Sequence, residues 1–364
     1  MNFFNVHVSP EAVALATATL ESGWVSEGEV VKRFEQELER ELGLGNPVAV
    51  NSGTSALHLA LAIAGIGSED EVILPAQTFV ATGLAILMTG AEPVFADIDP
   101  MTGNICLESI KEKVTQRTAA IIPVHWGGYP CNMHDIDDIA CKHGAYLIED
   151  AAHALGATYD DIPIGAFSDF TCFSFQAIKH LTTGDGGALC CYFHQWADAA
   201  RALRWFGIDR PSTKTSILGE RIYNLNTLGY KYHMNNVAAA IGLGNLAGFK
   251  KRLAQRQANG KRYRENLCNV PGVQLLECAD DRKHAYWLFT MRVQDRENFI
   301  RKLKEYDIPT SVVHQRIDKH ELFGGPYDLP GQAIFDEEQI SLPVHSKISS
   351  DDIDFICEVI KSGW

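Results

Sequence analysis

The sequence predicts an α/β protein, with a large domain built on a mostly parallel mixed sheet flanked by helices and a smaller α+β C-terminal domain. Three observations lead there. From about residue 48 to 192, short apolar runs alternate with amphipathic helical stretches, as expected of strands buried on both faces by crossover helices. Pro/Gly punctuation and a basic, Gln-containing helical stretch, Lys250 to Arg264, mark a boundary near 245–255. Beyond it the alternation changes to fewer, more widely spaced elements.

Strands are expected at 47–50 (PVAV), 71–75 (EVILP), 93–97 (PVFAD), 119–124 (AAIIPV), 146–149 (YLIE), 170–175 (FTCFSF) and 187–192 (GALCCY). Helical segments such as 54–65 lie between the first five, with apolar residues on one face. The C-terminal part reads as helix at 296–305, strand at 309–313 and helix at 350–361. The expected domains are 1–250 and 251–364, with the first 20 or so residues packing on the smaller unit or bridging the two. In open α/β sheets ligands bind beyond the carboxyl ends of the strands, so functional side chains should follow the apolar runs.

The chain has 364 residues, 46% of them hydrophobic and 21% charged, which suits about two globular domains with large cores. A net charge of -14 argues against nucleic-acid and anionic-membrane partners, although a few oriented N–H groups can still hold a small phosphate. The nine cysteines form no C-x-x-C pair, and several lie in apolar runs, as Cys172, Cys190 and Cys191 do. They read as buried thiols of a reducing compartment. With no signal-peptide pattern and no apolar run near the roughly 20 residues of a membrane span, a cytoplasmic protein is expected.

Lys179 lies between a buried run and the Gly-rich stretch Thr182-Thr183-Gly184-Asp185-Gly186-Gly187. Partial desolvation there lowers an amine's pKa and makes it nucleophilic; otherwise it is a surface lysine in a loop. Asp150 ends the 146–149 run and can face a ligand, bind a metal or cap the next helix. Asn51-Ser52-Gly53-Thr54-Ser55 joins a strand to a helix and is either a phosphate turn or a simple N-cap. Ser174 can add a hydroxyl from a neighbouring strand end, and Phe79 either stacks on a flat ring or belongs to the core. Together, a phosphate turn, a stacking aromatic, a carboxylate and a lysine suit pyridoxal 5'-phosphate (PLP). That cofactor needs a carboxylate against its ring nitrogen, and His153 can reach its phenolic oxygen. No metal site is expected.

The same segments resemble the DegT/StrS family of sugar aminotransferases, within the aspartate aminotransferase fold (fold type I PLP-transferases). The resemblance rests on Gly23–Gly28, Asn51–Leu57, Pro75–Thr82, Glu149–Gly156, Phe173–Phe175, Lys179, Thr182–Gly187, Gly229–Met234, Ala238–Leu243 and Ile340–His345. It implies that Lys179 forms the internal aldimine and Asp150 pairs with the pyridine nitrogen. His153 contacts the ring oxygen, Phe79 stacks on the ring, and Gly53, Thr54, Ser55 and Ser174 hold the phosphate. It further implies a homodimer whose segment 229–236 completes the partner's cofactor site, with Asn235 and the adjacent Asn236 as candidates to reach the phosphate. This chain departs from the family in carrying Lys231 and His233 there.

The implied reaction moves an amino group from L-glutamate to a nucleotide-linked keto-sugar, in polysaccharide or O-antigen type biosynthesis. His125 faces the sugar or is a structural histidine. His314 and Arg316 match a region lining the sugar-nucleotide pocket, where Arg316 either holds a diphosphate or makes an ion pair. A dehydratase branch carries His in place of the lysine, so Lys179 favours amino transfer. A non-enzymatic PLP-binding regulatory protein would carry a DNA-binding module, for which no basic segment is evident. A nicotinamide enzyme would need G-x-G-x-x-G after a first strand, which is missing.

Overall fold

A computed structural model describes residues 1–210 and 213–364. Two helices, α1 (Pro10–Glu21) and α2 (Glu29–Leu42), precede β1 (Val48–Val50) and α3 (Gly53–Ile63). Strand and helix then alternate through β2 (Glu71–Pro75), α4 (Val80–Thr89), β3 (Glu92–Ala96), α5 (Leu107–Lys113), β4 (Thr118–Ile121), α6 (Met133–His143) and β5 (Tyr146–Asp150). The short pair β6 (Thr158–Tyr159) and β7 (Ile162–Pro163) leads to β8 (Phe170–Ser174), β9 (Gly187–Cys191) and α7 (His194–Leu203). After β10 (Lys214–Thr215) and β11 (Arg221–Ile222) come α8 (Asn236–Leu246) and α9 (Phe249–Leu267). The C-terminal part holds β12 (Val273–Leu275), β13 (Arg282–Lys283), β14 (Phe289–Val293), α10 (Arg296–Glu305), α11 (Pro330–Glu338), β15 (Gln339–Leu342) and α12 (Ser350–Lys361).

Among the described residues the main sheet has seven strands in the order β1-β9-β8-β5-β4-β2-β3. The ladder from β8 to β3 is parallel, while β9 runs antiparallel to both of its neighbours. Strand residues feed two cores by turns: Ile73, Leu147 and Phe173 enter one, whereas Val72, Leu74, Ile148 and Cys172 enter the other. That period of two, apolar on both faces, is why these segments read as continuous hydrophobic runs. The run at 119–124 forms strand only to Ile121; past Pro123, which has no N–H to give, one bridge joins Val124 to Asp150.

The three-stranded sheet β12-β14-β15 packs with α9, α10 and α12 around Tyr263, Phe289, Phe299, Ile353 and Ile360. Neither β14 nor β15 was expected, and the strand expected at 309–313 is a single bridge from Ser311 to Ser341. The chain turns away there: Val313 takes φ 64°, closed by the His314 N–H to the Val312 carbonyl at 2.9 Å. Positive φ is costly for a β-branched residue, so surrounding structure must impose this turn. Its consequence is the placement of His314. Helix α9 carries Phe249 into the first core and Tyr263 into the C-terminal one. The N-terminus touches both parts: the Ser9 N–H meets Asn245 Oδ1 at 2.8 Å, and the Asn2 carbonyl lies 3.0 Å from His345 Nε2. No helix among the described residues is long and apolar enough to cross a membrane.

One buried charge cluster fixes β1, the strand before the candidate phosphate turn. The Arg204 guanidinium, 4% exposed, donates to Glu35 at 2.5 Å, to Glu27 at 2.6 Å and to the Ala49 carbonyl at 2.7 Å. Glu35 in turn accepts the Ala49 N–H at 2.9 Å. Without Glu35, Arg204 keeps its pair with Glu27, but the Ala49 N–H and one guanidinium nitrogen lose their charged acceptor. Glu35→Ala is therefore expected to cost about 2–4 kcal/mol of unfolding free energy, since a hydrogen bond to a charged group contributes roughly 1.5–3 kcal/mol. Urea titration should show it as a midpoint well below that of the parent; an unchanged midpoint contradicts the assigned role.

Candidate active site

The carboxyl ends of the parallel strands meet at a cavity of about 380 Å³. Ser52, Gly53 and Thr54 form one end of it, Phe79 and Asp150 line it, and Ser174, Lys179, Trp287 and His314 complete the wall. Lys179 and Asp150, assigned from sequence to one reaction centre, share this space.

At the turn, Ser52 N-caps α3: its hydroxyl accepts the Ser55 N–H at 3.1 Å. The first N–H groups of an eleven-residue helix have no intrahelical acceptor and carry its positive dipole end, which makes this an anion seat. A Cβ on Gly53 would sit 3.1 Å from Ser174 Cβ, so glycine lets the two elements close together. Gly187 does the same one strand over, where a Cβ would lie 2.6 Å from the Phe173 carbonyl oxygen. The hydroxyl of Ser55 donates to Asn51 Oδ1 at 2.6 Å and lies 2.9 Å from the Ser52 hydroxyl, inside the turn and outside the cavity lining.

Lys179 follows β8 on a loop tied to itself. The Phe175 N–H bonds the Gly186 carbonyl at 2.8 Å, the Thr183 N–H bonds the Phe175 carbonyl at 3.0 Å, and the Thr182 hydroxyl accepts the Gly184 N–H at 2.9 Å. Gly184 turns with φ 86°, and the Lys179 N–H closes on the Gln176 carbonyl at 2.9 Å. This explains the threonine-rich, glycine-rich pattern after the lysine: hydroxyls and positive φ hold the loop so that the amine faces inward. The Lys179 Nζ lies 3.7 Å from the centre of the Trp287 ring. Burial lowers its pKa to about 7, against the opposing pull of Asp150.

Asp150 is 6% exposed at the end of β5. Burial pushes its carboxyl pKa upward, opposed by the Thr82 hydroxyl, the Ala152 N–H and the Lys179 amine. Thr82 donates at 2.7 Å and Ala152 at 3.2 Å. His153 lies flat against Trp287, ring centres 3.8 Å apart. Burial, with Lys179 next, holds its imidazole well below the ordinary range, and burial lowers His314 to about 4. Both are therefore neutral rings. Buried Nδ1 of His153 and Nε2 of His314 have no hydrogen-bond partner in the protein, which suits a ligand's polar atoms. Phe79, 53% exposed, caps the start of α4 at the cavity wall, 5.2 Å from the His314 ring.

Three further expectations fare differently. His125 is fully buried below the cavity: its Nδ1 accepts the Cys131 N–H at 3.1 Å and its Nε2 meets Glu149 at 2.7 Å. Both nitrogens are spent, so it presents nothing to a sugar. Of the two readings of Arg316, the structure shows the ion pair, with Asp318 at 2.5 and 2.6 Å, and a bond to the Tyr327 carbonyl at 2.9 Å. Asn235 caps α8 through the Ala238 N–H at 2.8 Å, on an open face with Val25 and Ser26; it does not line the main cavity, which Asp185 borders from this side. Sequence reasoning missed Trp287, Thr78 and Thr82. Trp287 sits in the apolar run Ala285–Phe289, where nothing distinguishes a cavity wall from core; the two threonines stood in a quoted motif without a role.

These residues fit PLP: an anion seat, a carboxylate, an unpartnered imidazole nitrogen and a desolvated amine border one space. A model described as the DegT/DnrJ/EryC1/StrS aminotransferase family matches residues 7–361. The spore coat polysaccharide biosynthesis protein SpsC of Bacillus subtilis (strain 168) is 38% identical over 367 residues, covering 97% of this chain and 94% of that protein. GDP-perosamine synthase of Caulobacter vibrioides is 33% identical over 344 residues, covering 92% and 90%. The crystal structure of the sugar aminotransferase CalS13 from Micromonospora echinospora superposes with a TM-score of 0.95 at 34% identity, covering all of both chains. With fold, cavity and similarity extending over nearly the whole length, the chain belongs to the DegT/DnrJ/EryC1/StrS aminotransferase family, PLP-dependent enzymes of fold type I.

Proposed function

We propose that this enzyme transfers an amino group from L-glutamate to a nucleotide-linked keto-sugar, yielding an amino-sugar for polysaccharide or O-antigen type synthesis in the cytoplasm. One observation carries the reading: a lysine amine with pKa about 7 shares a cavity with a buried carboxylate. The names of two relatives, a spore coat polysaccharide biosynthesis protein and a GDP-perosamine synthase, support the substrate class. The nine unpaired cysteines agree with a reducing compartment. In this reading the chain divides into 1–250 and 251–364, with Trp287 and His314 reaching the cavity from the second part.

PLP supplies an aldehyde for amine exchange and an electron-withdrawing ring. Asp150 would hold a proton on the ring nitrogen, and neutral His153 would meet the phenolic oxygen. Phe79 would stack on the ring; Gly53 and Thr54 with the Ser174 hydroxyl would hold the phosphate. The Lys179 amine, its pKa lowered to about 7 so that a large share is neutral at neutral pH, would hold the cofactor's aldehyde end and could take up and return a proton at Nζ. His314 borders the space left for the sugar.

The dehydratase alternative needs an imidazole at the lysine's place. Here the adjacent His180 turns its Nε2 to the Ala285 carbonyl at 2.8 Å, away from that task. A homodimer, with Asn235 of a second copy near the phosphate, agrees with exposed apolar residues on segment 217–228, among them Ile217, Leu218 and Leu228.

Two outcomes test this. The parent protein loaded with PLP should show a visible band that glutamate bleaches, and with nucleotide-linked 3-keto or 4-keto sugars it should give an amino-sugar by mass. Lys179→Ala should lose the band and on the order of 10²–10⁴-fold of the rate. A band unchanged in Lys179→Ala, or a deoxy-sugar product from the parent, overturns the assignment. Second, the free protein should react with PLP at a rate that rises through pH 7 and levels above it, because only the neutral amine attacks. A rise placed near the ordinary lysine value of about 10.4 contradicts the desolvated amine.

A further inference from the structure

The segment Pro75–Thr82 contributes Phe79 to the cavity, yet its two threonines have no part in the reaction described so far. Both are buried, Thr78 at 1% and Thr82 at 0% exposure. Their hydroxyls lie 2.7 Å apart, and the Thr82 hydroxyl donates to Asp150 Oδ2 at 2.7 Å. Thr78 borders the cavity, and Thr82 stands behind the carboxylate in the first turn of α4.

An ionised carboxylate only accepts, so the single proton of Thr82 points at Asp150, and the Thr82 oxygen is left to accept from Thr78. The chain of donors then runs Thr78, Thr82, Asp150. A protonated Asp150 would demand the reverse, with Thr82 turning its proton to the Phe79 carbonyl at 3.3 Å or to Thr78. Backbone N–H donation from Ala152 holds the other carboxylate oxygen at 3.2 Å. Asp150 is thus fixed from two sides, one oxygen by each donor.

We propose that Thr82, backed by Thr78, is a positioning residue that keeps Asp150 ionised and aimed at the cofactor's ring nitrogen. The inference rests on the PLP-dependent reading above and on the hydroxyl geometry of Thr82 against Asp150 Oδ2. Other charged or titratable groups around the carboxylate are Lys179 and His125, with Glu149 paired to His125. None of them donates to Asp150 Oδ2.

The test compares PLP-loaded parent, Thr82→Val, Thr82→Ser and Thr78→Val. Valine keeps the shape and removes the hydroxyl. Thr82→Val is expected to retain the lysine-dependent visible band but lose on the order of 10–100-fold in kcat, with KM for the keto-sugar little changed. The acid limb of its kcat–pH profile should move to higher pH, since the carboxyl protonates more easily without its donor. In cofactor-free protein, isotope-edited NMR of the aspartate carboxyl should show the same upward titration shift for Asp150. Thr82→Ser should restore both properties. Thr78→Val cuts the chain one link earlier and should give a smaller change of the same sign, which keeps the test open if Thr82→Val does not fold. Parent-like kcat and pH profile in both valine variants overturn the proposal. Failure of the PLP-dependent reading itself would appear separately, as a parent protein with no visible band.

Discussion

Desolvation of the Lys179 amine beside the Asp150 carboxylate is the constraint to which the rest of the molecule is fitted. An amine in water is charged at neutral pH and inert as a nucleophile. Burial favours its neutral form, while a nearby carboxylate favours the charged one. Burial prevails here, lowering the Lys179 pKa to about 7 against the pull of Asp150. The same burial pushes the Asp150 carboxyl upward, and the Thr82 hydroxyl and Ala152 N–H oppose that push.

The main sheet brings these groups together, and the C-terminal part closes the space. Asp150 and Lys179 come from neighbouring parallel strands, β5 and β8, and the candidate phosphate turn follows β1. Without Trp287 and His314 that end of the sheet would be open to water. Trp287 is held by its Nε1–H on the Ile178 carbonyl at 3.1 Å, one residue before Lys179. Its ring carries both His153 and the lysine Nζ, so one aromatic wall sets the dryness of the site.

Much of this was legible in the sequence where local chemistry leaves a mark. The seven main strands showed as apolar runs, and the stretch Thr182–Gly187 marked the lysine loop because its turns need hydroxyls and glycine. What stayed hidden depends on partners far along the chain. His125 and Arg316 look like ligand residues in one dimension, but Glu149 and Asp318 occupy them. Ser55 has the right type at the right turn, and its hydroxyl donates to Asn51 Oδ1 within that turn. The run at 309–313 has the composition of a strand; a tertiary turn at Val313 breaks it and delivers His314 instead. Trp287 and Thr82 carry no local signal, since burial of an aromatic or a threonine in an apolar segment is the common case.

Everything turns on which amine is the reactive one. The most direct measurement is borohydride reduction of the PLP-loaded protein, followed by digestion and peptide mass analysis. A single phosphopyridoxyl group on Lys179 is the expected result. Its appearance on another lysine, or on none, would contradict the desolvated amine at the centre of the site.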